Sequence, residues 1–349
     1  MLLRRPPRRI AVIKPSALGD IAHAVPVLTA LRELFPASHI SWVVNKAYEP
    51  LLAGHPHLNA TIPFDRGAYK RSPLKAITYS LRFADNLRRR RFDLVIDLQG
   101  LLRTGLMTAA TGAAVRVGFA NSREGSRHFY THRIKVPDAE RVHAVDRYWR
   151  VVETLGGGHL TKRFVLPVAA NESAAVDAEL AAFPRPWLAL APGARWLTKR
   201  WPVGACAEVA TRSHSDFGGT VLLVGAADDI ALSEDLQSRL IGPSHDYTGK
   251  TGIAKMVAVL SRADAMLSND TGPLHVAAAL GVPCVSPYLC TKPALHGPYN
   301  SPAGGVPTTV PCAGSYLRQC PHGMLCLADL TPNKLWPSLQ QVLRTCRRS

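Results

Sequence analysis

Short apolar runs alternate with helical patterns along almost the whole chain, and this rhythm limits the folds that the chain can adopt. The runs include RIAVIK (9–14), FDLVIDLQ (92–99), WLALAPG (187–193) and TVLLVG (220–225). The centre of each run, such as IAVI (10–13) or LVI (94–96), is continuously apolar, which is typical of strands that are buried on both faces of a sheet. Repeated strand–helix units of this kind predict an α/β fold, with parallel sheets covered by helices on both sides.

The same rhythm predicts two domains. A polar, Pro- and Ala-rich stretch around residues 167–186 interrupts the strand–helix units, which then resume. A chain of 349 residues is long enough for two sizeable cores. We therefore predict a Rossmann-like domain over residues 1–170 and a second one over 171–331, followed by a helical segment over 332–349. Further strands are predicted at 40–45, 115–119, 264–268 and 283–288.

The chain carries a strong positive charge. It has 42 Lys and Arg residues against 25 Asp and Glu residues, a formal net charge of +17. This excess indicates an anionic partner such as a nucleotide, a phosphorylated lipid, a membrane surface or a nucleic acid. The densest runs, RRPPRR (4–9) and RRRR (88–91), are either solvated faces or patches that face a membrane or polyanion. No DNA- or RNA-binding motif is recognisable, so we expect no nucleic-acid partner.

Neither a membrane span nor a metal site is expected from the sequence. No stretch of about eighteen apolar residues is free of charges and breakers, and no apolar signal core follows the basic N-terminus. We therefore expect a cytoplasmic protein. Cys312, Cys320 and Cys326 are close in the sequence, but their spacing fits no usual zinc pattern, and we expect reduced, packed thiols.

Four polar motifs follow predicted strands, and in open parallel sheets ligands bind at the carboxyl ends of the strands. The motifs are KPSALGDIAHAVP (14–26), APGARWLTKRWP (191–202), VGAADDIALSEDL (224–236) and SNDTGPLHVAAALGVP (268–283). The chain lacks G-x-G-x-x-G, so an ordinary NAD site is not expected.

The fourth motif has the features of an anion site. Asp270 or Thr271 can serve as the N-cap of a helix that has Pro273 in its first turn and ends at Gly281. The free N–H groups at such a helix start attract phosphate, although an ordinary capped helix has the same pattern.

Other polar residues of the motifs have both a structural and a functional interpretation. Asp20 stands at or near a helix start, where Asp is usually a cap, but it would also face a cleft between two domains. Lys199 is either a surface charge or a ligand group. Asp228 and Asp229 can cap a helix or accept the hydroxyl groups of a ribose.

Together the four motifs resemble those of the lipopolysaccharide core heptosyltransferases, glycosyltransferase family 9. The resemblance extends from about residue 9 to residue 335. The segments that carry it are IKPSALGDIAHAVPVLTALRELFP, DLVIDLQGLLRTGL, VGFANSREGSRHFYTHRI, HAVDRYW, PGARW, KRWP and NDTGPLHVAAALG. The second, third and fourth of these are most similar to the subgroup that adds the first heptose, heptosyltransferase I.

The resemblance implies a GT-B fold, in which two Rossmann-like domains face each other across a cleft and the final segment (332–349) packs back on the N-terminal domain. It implies transfer of a heptose from ADP-L-glycero-D-manno-heptose, held mainly by the C-terminal domain, to Kdo–lipid A on the N-terminal side. The transfer would invert the anomeric centre and need no metal or other cofactor. Because the acceptor is an acidic glycolipid, we expect peripheral contact with the inner face of the plasma membrane.

The resemblance also implies roles for individual residues. Asp20 matches the family's catalytic base, which takes the proton of the acceptor hydroxyl. Lys199 matches the family lysine that, with backbone N–H groups of the fourth motif, would stabilise the leaving ADP. Asp270 is interpreted as an acceptor for sugar hydroxyls, and His275 as a phosphate or sugar contact or else a core or cap histidine. The N–H groups in question belong to Thr271, Gly272 and Leu274.

Further contacts are expected on both sides of the reaction. Asp229 is expected to bind the ribose, and Thr251 to contact adenine through its backbone. Ala194 and Arg195 occupy the donor loop, where first-heptose enzymes can carry hydroxyl residues, and in this loop the chain is more similar to second-heptose enzymes. The cationic members of the acceptor set can equally be surface or structural charges. The residues predicted to contact the acceptor are Lys14, Ser16, Gly19, Arg103, Arg123 and Arg147.

Two other functions remain open at this point. One is a family member of the same fold that transfers another heptose or another sugar to a different core or surface glycan. The other is a non-catalytic protein that binds a nucleotide or polyanion, against which the intact Asp20 and Lys199 count.

Overall fold

The computed structural model of the protein describes residues 3, 5–70 and 72–346. Arg4 of the first basic run, and the last three residues of the predicted C-terminal helix, lie outside the described residues. The chain divides into two compact units, Met1–Pro167 and Val168–Ser349. The division falls three residues before the predicted end of the first domain, where the Pro- and Ala-rich stretch begins.

The first unit is a parallel sheet covered by helices. Its strands are β1 (Arg9–Ile13), β2 (His39–Asn45), β3 (Ala60–Phe64), β4 (Leu94–Asp97), β5 (Val115–Phe119) and β6 (His132–Ile134). Its α-helices are α1 (Leu18–Leu34), α2 (Pro73–Arg89), α3 (Leu102–Ala110) and α4 (Ala144–Thr154). Within the described part of this unit, the six strands pair in the order β3-β2-β1-β4-β5-β6, and every neighbouring pair is parallel.

The second unit repeats this plan. Its strands are β7 (Trp187–Ala191), β8 (Thr220–Leu223), β9 (Ser244–Asp246), β10 (Ala265–Ser268), β11 (Cys284–Tyr288) and β12 (Gly305–Pro307). Its helices are α5 (Ala170–Leu180), α6 (Val203–Phe217), α7 (Ile230–Arg239), α8 (Ile253–Arg262), α9 (Gly272–Ala279), α10 (Pro293–His296), α11 (Cys326–Asp329) and α12 (Pro332–Cys346). The sheet, parallel throughout its described strands, has the order β12-β11-β10-β7-β8-β9. In the described part of the chain, no helix has the length and apolar character needed to span a bilayer.

Both sheets reverse their direction of winding at one point. The first three strands of each unit proceed to one side and the last three to the other, so β1 lies beside β4, and β7 lies beside β10. Such a switch point leaves a crevice between the loops that follow the two central strands, and ligands bind there in doubly wound sheets. The first, second and fourth sequence motifs follow β1, β7 and β10, and the third follows β8.

The strands predicted from the sequence are all present, with ends within two residues of the prediction. The strands that the sequence did not reveal are β3, β6, β9 and β12, which are the edge strands of the two sheets. An edge strand has one neighbour and is covered less completely than a central strand. Its residues are therefore only partly buried, and the continuous apolar run that identifies a central strand is missing.

The C-terminal helix belongs to the core of the second unit. Leu335, Leu339 and Leu343 of α12 are fully buried, and their neighbours in that core include Leu267 of β10 and Val285 of β11. The sequence analysis assigned this helix to the N-terminal domain. The structure differs because the apolar stripe of the helix, repeated every four residues, is covered by side chains of the second unit.

Candidate active site

Asp20 lies at the switch point of the first unit, in the loop and first helical turn that follow β1. Its Oδ2 accepts a hydrogen bond of 3.0 Å from the backbone N–H of Ala17, so the side chain caps the start of α1. The same oxygen is 3.8 Å from Nζ of Lys14. Asp20 is partly exposed, whereas Lys14 is buried. Asp20 is therefore both a helix cap and a carboxylate that a ligand can reach.

Lys14 provides a fixed positive charge beside this carboxylate. Its Nζ is 5.1 Å from the ring centroid of Tyr148 on α4, and the guanidinium of Arg147 is 5.6 Å from the same ring. Burial alone would lower the pKa of Lys14, but Asp20 and the Tyr148 hydroxyl outweigh it and raise that pKa above its ordinary value. Lys14 is therefore an ammonium at neutral pH, and Tyr148 is a member of this cluster that the sequence analysis did not single out.

The loop after β4 supports the loop after β1. Asp97 is fully buried at the end of β4, and its Oδ1 accepts N–H bonds from Gln99 and Gly100 at 2.8 and 3.0 Å. Burial raises the pKa of Asp97 above its ordinary value, although these hydrogen bonds act in the opposite direction. Oε1 of Gln99 in turn accepts a 3.3 Å bond from the N–H of Ser16. Asp97 and Gln99 thus hold the Asp20 loop across the switch point.

The other residues predicted to contact the acceptor lie in the segments after β1 and β5 and at the start of α3. Ser16 is partly buried and Gly19 is buried beside Asp20 in the same loop. Arg123 is exposed, and its N–H donates to the carbonyl of Gly100 at 2.9 Å, which places its backbone at the loop after β4. Arg103 lies in the first turn of α3, with its guanidinium 5.8 Å from the ring centroid of Phe64 at the end of β3.

Lys199 and Asp270 form a short ion pair at the switch point of the second unit. Lys199 ends a single turn of 3₁₀ helix after β7, and Asp270 lies in the loop after β10. Nζ of Lys199 is 2.6 Å from Oδ2 of Asp270. The same oxygen accepts a 2.7 Å hydrogen bond from the hydroxyl of Thr291, and Nε2 of His275 lies 3.2 Å from Oδ1. Both carboxylate oxygens of Asp270 therefore have protein partners.

The charges around Asp270 keep it ionised. Burial would raise the pKa of this carboxyl, but the hydrogen bond and charge of His275 and the ammonium of Lys199 hold it well below its ordinary value. These partners explain how an acidic residue can stand directly ahead of a helix start suited to phosphate. They also add a function to the sequence interpretation, because Asp270 fixes the position of the Lys199 ammonium.

Asn269 joins the two loops at this switch point. Its side chain is buried, Oδ1 accepts a 3.0 Å bond from the N–H of Trp201, and Nδ2 donates a 2.7 Å bond to the carbonyl of Pro192. It is the counterpart of Gln99 in the first unit. The sequence analysis passed over Asn269, although a polar residue directly after a buried strand is the signal that identifies it.

We expect Asn269→Ala to destabilise the second unit. The change leaves two buried backbone groups, the N–H of Trp201 and the carbonyl of Pro192, without this partner. We therefore expect the free energy of unfolding to fall by about 2–4 kcal/mol. Urea denaturation followed by tryptophan fluorescence measures it. The exposed Asn171 on α5 provides the control, and Asn171→Ala should stay within about 0.5 kcal/mol of wild type. Equal losses in the two variants would contradict the bridging role of Asn269.

The helix after Asp270 starts without a side-chain cap. Of the two cap residues predicted, Thr271 is the N-cap of α9, and its side chain makes no capping hydrogen bond. The first N–H groups of an α-helix have no acceptor within the helix, so those around Gly272 and Leu274 can bind an anion. Their position next to Lys199 places a cation and backbone donors at one end of the sheet.

The remaining donor-side residues occupy the adjoining loops. The carboxylate of Asp229, which accepts a 3.0 Å bond from the N–H of Ala226, packs directly against Gly193 after β7. Ala194 is buried, and Arg195 is exposed. Thr251 is partly buried in the loop after β9. Since β7, β8 and β9 are neighbours, these residues lie at the same carboxyl edge as Lys199.

The cysteines that cluster in the sequence also lie close together in the structure. Cys312, Cys320 and Cys326 line one pocket with Cys290 and His322, and all four thiols are free. Within the described residues, no group of three His, Cys, Asp or Glu side chains is arranged to hold a metal ion.

Comparison with known proteins relates this arrangement to one family. A family model described as glycosyltransferase family 9 (heptosyltransferase) matches residues 80–325. Lipopolysaccharide core heptosyltransferase OpsX of Haemophilus influenzae is 26% identical over 86% of this chain and 84% of its own length. Lipopolysaccharide heptosyltransferase 1 of Pseudomonas aeruginosa is 27% identical over 96% of this chain and 98% of its own.

Solved structures show the same architecture. A family 9 glycosyltransferase from Veillonella parvula superposes with a TM-score of 0.85 at 22% identity and covers 97% of this chain and 98% of its own. The Escherichia coli heptosyltransferase WaaC with ADP gives 0.71 at 23% identity, over 96% and 99%. At these identities the likeness establishes the fold, which is the GT-B fold expected from the sequence.

Proposed function

The chain belongs to glycosyltransferase family 9, and we propose that it transfers a heptose from an ADP-activated heptose to an acidic, lipid-borne acceptor of the Kdo–lipid A type. The observation that supports this most strongly is the Lys199–Asp270 pair beside the uncapped start of α9, because it combines a cation with backbone donors. Enzymes that release a diphosphate need such groups where negative charge develops. The relatives' names and the ADP of the WaaC structure support lipopolysaccharide synthesis and an ADP-linked donor.

The acceptor half of the reaction is assigned to the first unit. Asp20 takes the proton from an acceptor hydroxyl as the oxygen of that hydroxyl bonds to the anomeric carbon of the heptose. Lys14, Ser16, Gly19, Arg123 and Arg147 are proposed to surround the acidic acceptor. Arg103, which starts α3 and lies against Phe64, is proposed to contact the acceptor from the beginning of that helix.

The donor half is assigned to the second unit. As the new bond forms, the bond from the anomeric carbon to the phosphate oxygen breaks, and its electron pair stays on ADP. Lys199 and the N–H groups of Thr271, Gly272 and Leu274 stabilise that charge. We propose that Asp270 holds Lys199 in place and accepts a hydrogen bond from a sugar hydroxyl. His275 supports Asp270 and does not contact the phosphate directly.

The nucleoside is assigned to the loops after β7, β8 and β9. Asp229 accepts hydrogen bonds from the ribose hydroxyls, and the backbone at Thr251 contacts adenine. Ala194 and Arg195 contribute backbone contacts in the donor loop. Because Ala194 is buried and Arg195 is exposed, Arg195 is the one of these two side chains that can reach a ligand.

We expect Gly193→Ala to weaken ADP binding. A Cβ at Gly193 would overlap the carboxylate of Asp229, so that carboxylate must leave the position from which it binds ribose. The affinity should fall about tenfold or more, as expected for loss of hydrogen bonds to a carboxylate. Titration calorimetry with ADP measures this. The matched control is Gly204→Ala on α6, where a Cβ meets nothing closer than 3.9 Å and ADP affinity should not change.

Transfer from a panel of nucleotide sugars, followed by mass spectrometry, tests the function. The acceptors are Kdo–lipid A and the same acceptor already carrying one heptose. Transfer from ADP-heptose to the first acceptor is the expected result. Transfer only to the second would assign the chain to the second-heptose step, for which Ala194 and Arg195 are the supporting residues. ADP binding without transfer from any donor would instead support the non-catalytic alternative.

A further inference from the structure

Helix α2 exposes three large aliphatic side chains along one face. Leu74, Ile77 and Leu81 are 79%, 58% and 67% exposed, and they are spaced so that they lie on the same side of the helix. The opposite side carries Phe83 and Leu87, which are buried in the core of the first unit. The helix therefore has two apolar faces, of which the unit covers one. We call Leu74, Ile77 and Leu81 the α2 stripe.

Cations flank the α2 stripe. The helix contains four basic residues and one acidic residue, which gives it a net charge of +3. Arg90 and Arg91 follow it directly. The acidic residue, Asp85, is paired with Arg89 at 2.7 Å. The exposed basic residues of α2 are Lys75, Arg82, Arg88 and Arg89. An apolar stripe beside a cationic flank matches the surface of an anionic phospholipid bilayer, whose headgroups are negatively charged and whose acyl chains are apolar.

The middle of α2 packs against the end of β3, at the carboxyl edge of the sheet where Asp20 also lies. Phe64, the last residue of β3, packs against Tyr79 and Phe83 of α2 with ring centroids 6.0 and 5.3 Å apart. The guanidinium of Arg103, at the start of α3, lies 5.8 Å from the same Phe64 ring. These contacts fix α2 near the carboxyl ends of the strands, which in a parallel sheet all meet at one edge.

We propose that the α2 stripe and its cationic flank dock the protein on the anionic membrane surface that carries its acceptor. The aliphatic side chains enter the boundary between headgroups and acyl chains, and the cations bind lipid phosphates. Docking through α2 presents the Asp20 edge of the first unit to the headgroup of a lipid-borne acceptor. This inference rests on the proposed function for the identity of the acceptor, but the docking itself requires only the lipid surface.

Vesicle flotation with the full chain tests the docking. The vesicles are phosphatidylglycerol–phosphatidylethanolamine, with pure phosphatidylcholine for comparison. Leu74→Gln/Leu81→Gln removes two residues of the α2 stripe while keeping good helix formers, and should weaken binding to the anionic vesicles about tenfold or more. Lys75→Gln/Arg82→Gln should weaken it to a similar degree and reduce the preference for anionic over neutral lipid.

The matched control removes two aliphatic side chains of similar exposure in the second unit. Ile241 and Leu325 are 70% and 64% exposed. Ile241→Gln/Leu325→Gln should bind vesicles like wild type. If this control weakens vesicle binding as much as Leu74→Gln/Leu81→Gln does, the docking role of α2 is wrong. The same holds if Leu74→Gln/Leu81→Gln binds vesicles like wild type. A wild-type dimer that the α2 variant disrupts, with vesicle binding unchanged, would instead identify a second copy of the chain as the partner and overturn the proposal.

Activity measurements separate this inference from the proposed function. The stripe variant Leu74→Gln/Leu81→Gln should retain wild-type transfer to a delipidated, water-soluble Kdo oligosaccharide. It should lose transfer to Kdo–lipid A in vesicles. Absence of transfer to either acceptor by the wild-type protein would count against the proposed function, while its vesicle binding would still test the docking. Equal transfer by wild type and variant to the vesicle-borne acceptor would count against the docking alone.

Discussion

Asp20→Asn is expected to lower turnover by about two to four orders of magnitude, the usual effect of losing a general base. An amide cannot take the proton of the acceptor hydroxyl, but its oxygen can still accept the N–H bond of Ala17 that caps α1. The substitution therefore separates the chemistry from the cap. Donor affinity should change little, because Asp20 lies in the first unit and the donor is assigned to the second. Initial rates at saturating ADP-heptose and calorimetry with ADP measure the two effects.

Two further variants sharpen this test. Asp20→Ala removes the cap as well as the base, and should add a loss of stability of about 0.5–2 kcal/mol to the same loss of turnover. Asp93→Asn is the control, because Asp93 also accepts backbone N–H bonds, from Arg8 and Arg9, but at the amino end of the same sheet. It should leave turnover unchanged. If Asp20→Asn kept turnover while Asp20→Ala lost it, the role of Asp20 would be structural.

Lys199→Met should lower turnover by about two to three orders of magnitude, because it removes the cation proposed to stabilise the leaving ADP. It also leaves the buried carboxylate of Asp270 with His275 and Thr291 as its remaining side-chain partners among the described residues. We therefore expect a loss of stability of about 1–3 kcal/mol besides the loss of activity. Single-turnover kinetics and urea denaturation measure the two quantities independently.

The double variant Lys199→Met/Asp270→Asn separates the two effects of Lys199. It removes both charges of the pair, so much of the stability should return while turnover stays low. Recovery of turnover in the double variant would mean that Lys199 serves only to neutralise Asp270.

The proposed mechanism assigns charge stabilisation to Lys199 and backbone N–H groups, so wild-type turnover should also survive excess EDTA. Loss of activity on chelation, restored by magnesium or manganese, would contradict that assignment.

The sequence by itself was sufficient to predict the central strands of both sheets and the loops that follow them. Strands such as β1 and β7 are covered on both faces, so the residues of β1 after Arg9 and all residues of β7 are buried and apolar, and the run is visible without any structure. The motifs after them stand out because Gly, Pro and Asp interrupt these runs at turns and helix starts. The resemblance to the family followed from the order of these motifs, since each one alone also has an ordinary structural interpretation such as a helix cap or a surface charge.

Only the tertiary structure determined which of these residues act together. Asp270 lies 71 positions from Lys199, and the two meet because β7 and β10 are neighbours in the sheet. Asn269 and Gln99 bridge distant loops for the same reason, since β7 pairs with β10 and β1 pairs with β4. The packing of α12 in the second unit and the exposed face of α2 were likewise undetermined by sequence. An amphipathic pattern specifies that a face must be covered, but the partner that covers it is set by the arrangement of the whole chain.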